Sequence, residues 1–181
     1  GIDSPGRELA RRVEELAGRD AVRLIFRRDR FGRGGDHLPF SEAGLPAIRF
    51  TEPQEDYRHQ HQNVRVENGV TFGDLLQFLD FEFIARTATL ATKVLADQAG
   101  APLPPTAVWL GGAVTPSARI SVEAASDEQR TGFEILVRET TEPRWRLLRQ
   151  VSAPGETVLD ETSTDNEHFA VRAVGKNGTR S

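Results

Sequence analysis

The chain has 181 residues, of which 38% are hydrophobic and 28% charged, with a net charge of −4. This is globular composition, which excludes a collagen-like or wholly disordered chain; no apolar run reaches the roughly 18 residues of a membrane span, and a negative total argues against a surface built to neutralise nucleic-acid phosphates. Cysteine is absent, so disulfides and thiolate-held metals are excluded and any metal must use His, Asp or Glu.

With Gly at position 1 and no methionine anywhere, the chain reads as a fragment or a processed product. Ser4 and Pro5 predict a helix start. Leu9, Val13, Leu16 and Ala17 share one helical face, and Gly18 predicts the stop. The adjacent Glu14-Glu15 falls on this helix and reads as solvated surface. Val22, Leu24 and Phe26 alternate with Arg23 and Ile25, which predicts a strand. The glycine-rich FGRGGD at 31–36 predicts a loop, 39–43 a single helical turn ended by Gly44, and PAIRF at 46–50 a second short strand. The polar stretch 52–68 reads as a loop and holds two of the four histidines. Thr71 and Asp74 resemble a capping box, so a long helix is expected from about 73 to 98, with Leu75, Leu76, Leu79, Phe83, Leu90, Val94 and Leu95 inward. Ala85, Ala88 and Ala91 permit close packing on one side.

The prolines of GAPLPP at 100–105 end any helix and predict a linker. Beyond it the helical period disappears. Strands are expected at 107–110, 118–124, 132–138, 146–151, 157–160 and 168–174, separated by turn signals such as Pro154-Gly155 and Asn177-Gly178. The expected fold is therefore an α/β fragment, part of a mixed sheet flanked by helices, over 1–101, followed by an all-β immunoglobulin-like sandwich over 102–181. Two strands do not make a free-standing covered sheet. The first half should thus expose an apolar sheet face, to be covered by an upstream part of the same domain or by a second copy.

Two stretches carry candidate chemistry. Tyr57-Arg58-His59-Gln60-His61-Gln62-Asn63 places two imidazoles two residues apart, on one side of an extended segment. A neutral histidine ring is a common zinc ligand when its other nitrogen is held by an acceptor. Asp36-His37, between glycines and Pro39-Phe40, could form an acid–base pair. The Arg-Gly run at 27–35 looks like a nucleic-acid segment, but Asp29 and Asp36 interrupt it and no nucleic-acid partner is expected.

Together, GDHLPFSEAGLPAIRFTE at 35–52, YRHQHQN at 57–63 and the long helix resemble the C-terminal part of the zinc aminopeptidase catalytic domain. That superfamily includes bacterial leucyl aminopeptidases, glutamate carboxypeptidases, the transferrin receptor and the glutaminyl cyclases. The resemblance covers roughly 4–99. It implies a mixed sheet between helices, with metal ligands on loops at the strand ends, and zinc as cofactor, two ions in the parent protein. In the family the last ligand is a His four residues before an Asp. Here that step runs from His59 to Asn63, so the resemblance assigns the metal-ligand role to His59, with His61 as second choice. It places Asp36, His37, Phe40 and Tyr57 at the active-site loop, with Phe40 packed beneath it. The earlier ligands and the catalytic Glu have no counterpart in the chain, so no catalytic residue is assigned and the chain alone is expected to be inactive. The parent is expected to be an aminopeptidase that removes N-terminal residues from peptides. The alternatives are a glutaminyl cyclase or carboxypeptidase relative, or a non-catalytic interaction or scaffold module. The resemblance points to a secreted or periplasmic compartment; the residues themselves set none.

The second half resembles a fibronectin type III module. Trp109, the run 132–138, Trp145, and His168-Phe169-Ala170-Val171-Arg172-Ala173-Val174 before Asn177-Gly178 carry that likeness. Trp145 is expected to pack between strands, and His168 carries no functional role.

Overall fold

The computed structural model describes residues 3–18, 20–27, 29 and 34–181. The expected loop at 31–36 and the Arg-Gly run therefore lie partly outside the described residues. The chain divides into two compact units, Gly1–Lys93 and Val94–Ser181.

The first unit opens with α1 (Pro5–Ala17). Ser4 precedes it in extended conformation, and its carbonyl accepts the Arg7 and Glu8 N–H groups at 2.8 and 3.1 Å. Gly18, at φ 92°, ends the helix and donates its N–H to Glu14 C=O. The Glu14-Glu15 expectation is corrected in part: Glu14 is buried, while Glu15 pairs with Arg12 at the surface. Gly6 lets α1 approach the chain at Ala47, whose carbonyl oxygen would lie 2.8 Å from any Cβ there.

The two strands expected at 22–26 and 46–50 do not form. Neither segment pairs into a ladder among the described residues. The alternation itself survives: Val22, Leu24 and Phe26 are half-buried, and Arg23 and Ile25 are exposed. Periodicity sorts side chains between two faces, but a strand also needs a neighbour for its backbone groups. Instead, the Phe26 carbonyl accepts Arg7 Nη2 at 3.0 Å.

A short helix α2 (His37–Glu42) follows and ends at Gly44, φ 82°. Strands β1 (Arg65–Glu67) and β2 (Val70–Phe72) form a hairpin inside and just after the segment read as loop. Its two turn residues, Asn68 and Gly69, have φ 50° and 77°, the double left-handed turn that suits an antiparallel pair. A 3-10 turn at Leu76–Phe78 precedes α3 (Phe81–Ala99). The long helix thus begins eight residues later than expected. Thr71 belongs to β2, and Asp80 caps the helix by accepting Phe83 N–H on Oδ1 at 2.8 Å. Val94 is buried and Leu75 and Leu90 are half-buried, whereas Leu76, Leu79, Phe83 and Leu95 are exposed, against expectation.

The second unit holds β3 (Ala107–Gly111), β4 (Ala118–Glu123), β5 (Arg130–Glu139), β6 (Arg146–Val151), β7 (Gly155–Leu159) and β8 (Glu167–Gly175). All six expected strands are present. They make two three-stranded antiparallel sheets, ordered β3-β4-β7 and β6-β5-β8. Ala118, Ile120 and Val122 of β4 and Leu159 of β7 meet Phe133, Ile135 and Ala173 of the other sheet in one buried cluster. Trp145 is half-buried, with the Arg138 guanidinium 4.8 Å over its ring; Trp109 is exposed on β3.

Candidate functional site

The histidine loop is built by the hairpin behind it. Gly73, at φ 106°, leaves β2 and donates its N–H to the Arg58 carbonyl at 2.9 Å. A Cβ at Gly73 would lie 2.8 Å from Val64 Cα, so only glycine allows this close docking. The loop turns at Asp56, whose carbonyl accepts His59 N–H at 3.0 Å.

His59 is fixed on two sides. Its ring stacks on Phe78, with centroids 3.5 Å apart and planes 7° from parallel. Its Nδ1 lies 3.6 Å from Asp56 Oδ2, an ion-pair distance rather than a hydrogen bond. Asp56 is itself gripped by Arg58, whose Nε donates to Oδ1 at 2.8 Å, whose Nη2 pairs with Oδ2, and whose backbone N–H donates to Oδ1 at 3.1 Å. The Arg58 guanidinium, followed by that backbone N–H, holds the Asp56 carboxyl well below the usual carboxylate range. A carboxylate oxygen therefore faces Nδ1, which leaves Nε2 as the nitrogen open to a metal. His61, two residues on, sits in an exposed turn at φ 55°.

The Asp36 turn forms a separate constellation. His37 Nε2 lies 3.9 Å from Asp29 Oδ2, and Arg49 Nη1 donates to Asp29 Oδ1 and to the Gly34 carbonyl, each at 3.2 Å. The carboxylate that faces His37 is thus Asp29, not its neighbour Asp36. Asp36 is exposed and makes no side-chain cap to α2. Phe40 is 58% exposed, so the expectation that it packs beneath the loop is corrected; one turn of helix has no second layer to bury it. Tyr57 is 55% exposed. Each histidine loop therefore brings its own carboxylate, Asp56 for His59 and Asp29 for His37. In the sequence Asp29 stands out only as an interruption of the Arg-Gly run, and the spacing of three between Asp56 and His59 is the one signal that links Asp56 to the loop.

Among the described residues no three His, Asp or Glu side chains converge as a metal site. His59 fits a single ligand arm; a complete zinc site is not present in these residues. Among the described residues no helix is long and apolar enough to cross a membrane.

No family model matches the chain. It is similar to curated proteins named "Probable zinc metalloprotease": one from Pyrenophora tritici-repentis at 42% identity, one from Phaeosphaeria nodorum at 41%, and one from Pyricularia oryzae at 36%. Each match takes in 99% of this chain and 38% of the relative. The chain thus spans well under half the length of these proteins. Among solved structures, "Myokine structure" is similar over 45% of this chain and 86% of its own, with 22% identity and a TM-score of 0.35.

Proposed function

We propose that this chain is the part of a zinc metallo-exopeptidase that supplies one metal ligand, His59 through Nε2, and that the whole protein removes N-terminal residues from peptides. The observation that carries the reading is the clamped imidazole. Asp56 lies behind Nδ1 and Phe78 holds the ring plane; a carboxylate on the side of the non-ligating nitrogen is the placement that zinc-bound histidines use. The names of the relatives agree with zinc and with proteolysis, and aminopeptidase specificity is our extension from the motif at 35–63. The second unit we read as an appended fibronectin type III-like module, which its six strands and shared core support.

Bound zinc would supply Lewis-acid polarisation of the scissile carbonyl and an activated water near neutral pH. This chain's own contribution is positional. Asp56 stands behind Nδ1 and leaves Nε2 clear, Arg58 grips Asp56, and Gly73 anchors the loop. The remaining ligands and the proton-transferring carboxylate come from the rest of the longer protein, either an upstream part of the same domain or a second copy.

The test is zinc content and aminopeptidase activity of the longer protein beside its His59→Ala and His61→Ala forms. His59→Ala should lose bound zinc and activity, and His61→Ala should keep both. Unchanged zinc and turnover in His59→Ala would sink the assignment. A protein that holds no zinc and cleaves no peptide would favour the non-catalytic scaffold.

A further inference from the structure

We infer that the outer face of the β3-β4-β7 sheet binds an unbranched, β-linked neutral saccharide, with Trp109 as the ring on which it stacks. The inference does not depend on the metallopeptidase reading. Register places the residues. Trp109 of β3 pairs with Ser121 of β4, and Ser121 with Glu156 of β7, so the three stand in one row across the sheet. Ile120 and Val122, on either side of Ser121, belong to the buried cluster. Strand side chains alternate, so the row faces away from the core. Gly111, Arg119 and Val158 make the next row on this face, and Ala107 and Glu123 the row on the other side.

The indole is left bare at 51% exposure. Its neighbours on the same face of β3 are Ala107 and Gly111, and Ser121 stands directly opposite; none has the bulk to cover the ring. A Cβ at Gly111 would meet nothing nearer than 3.8 Å, so the floor beside the indole is open. The other tryptophan, Trp145, is by contrast covered by the Arg138 guanidinium. Around Trp109 lie polar groups that the protein does not use. Among the described residues the indole N–H, the Ser121 hydroxyl and the Glu123 carboxylate make no hydrogen bond or ion pair. Arg119 Nη1 and Glu156 Oε1 are only loosely paired, at 3.8 Å. Beside Glu123, at the end of the same sheet, opens a cavity of about 540 Å³ lined by Thr106, Glu123, Pro154 and Gly155, a size within the range of ligand sites.

The mixture of groups selects the ligand. An open indole face takes a flat apolar partner. The rim offers donors in the indole N–H and Arg119, acceptors in Glu123 and Glu156, and both in Ser121. A cation would use the acceptors alone and meet Arg119. A phosphate or nucleic acid would use the donors alone and meet two carboxylates. Sugar hydroxyls donate and accept at once, and one face of a pyranose is lined by C–H groups. A saccharide therefore engages every group of the two rows. Charge agrees: Arg119 offsets Glu156, which leaves Glu123 as the one uncompensated charge among these groups and favours a neutral ligand. An unbranched β-linked chain lies flat along a flat sheet. From the row of Trp109 to that of Glu123 the strand advances about 7 Å, so one ring stacks on the indole and the next reaches Glu123 and the cavity.

Calorimetric titration of the 181-residue chain with cellohexaose and with chitohexaose tests this. At least one should bind. Trp109→Ala should lower the affinity about 10-fold, and Trp109→Phe should keep most of it. Glu123→Ala, at an exposed position on a different strand, is the independent check and should weaken binding about 5-fold. All three should keep the far-ultraviolet circular dichroism of the parent, because both side chains lie outside the core. Affinity should be equal in about 0.1 and 1 M sodium chloride, as for a neutral ligand. Absence of binding to both oligosaccharides would overturn the inference, as would binding that neither Trp109→Ala nor Glu123→Ala weakens. Tighter, salt-sensitive binding of polylysine that depends on Trp109 would overturn it in favour of a basic partner.

Discussion

His59 is an exposed-loop residue whose ring is nonetheless held in place, and the groups that hold it can be separated by substitution. Asp56→Asn removes the charge facing Nδ1 while keeping the shape. In the longer protein it should weaken zinc binding by about 10- to 100-fold, read by chelator competition, with an unchanged far-ultraviolet circular dichroism spectrum. Gly73→Ala acts through the backbone. At φ 106° and 2.8 Å from Val64, the added methyl should cost on the order of 2 kcal/mol and release Arg58 and the loop with it. Denaturant titration of the 181-residue chain measures the cost. Of these residues only His59 was legible in the sequence, and it came from a motif likeness. Asp56, Gly73 and Phe78 are joined to it by chain reversals at 56–59 and 68–73, which no periodicity reveals.

Among the elements, the six strands of the second unit were readable because short runs of β-formers lie between turn signals; β4 alternates buried and exposed side chains, while β5 is buried along most of its length. The first unit was harder. Leu75, Leu76, Leu79 and Phe83 have helical spacing, but the Asn68-Gly69 turn commits Thr71 to a hairpin and delays the helix. Asp80, not the pair Thr71 and Asp74, starts α3. Asp80→Ala should therefore cost about 1 kcal/mol and lower helix content, whereas Asp74→Ala should be close to neutral. Equal losses from both would mean that α3 begins earlier than at Phe81. The segments at 22–26 and 46–50 show the complementary error. Their side chains alternate or cluster as strands do, yet the strands that would accept their backbone groups are not among the described residues.

The molecule as a whole divides its core unequally. The second unit has a closed cluster of buried side chains. In the first, Val13 is the one buried hydrophobic side chain among the described residues, while Phe40, Leu76, Phe81 and Ile84 are exposed. On heating, the first unit of the 181-residue chain should lose structure before the second. The second unit also contains a pH-sensitive tie. Glu134 is buried, and Arg172 Nε and Arg180 Nη2 reach its two oxygens at 2.7 and 2.9 Å. Burial pushes its carboxyl up, but the Arg180 and Arg172 hydrogen bonds together outweigh this and bring it down to about 2 from an ordinary 4.5. A lowered folded value means that the stabilisation is fully present above about pH 4.5 and is lost as pH falls toward 2. Glu134→Gln should cost about 2 kcal/mol at pH 7 and should flatten the stability profile between pH 5 and 2.5. An unchanged acid slope would show that the chain end at Arg180 is held by its backbone bonds alone.

The placement of the aromatic residues makes these two halves separately visible. Both tryptophans, Trp109 and Trp145, sit in the second unit, and the only tyrosine, Tyr57, sits two residues from His59 in the first. Emission excited at long wavelength therefore reports the second unit alone, and the tyrosine band watches the imidazole loop, so one unlabelled sample yields two independent optical melting curves.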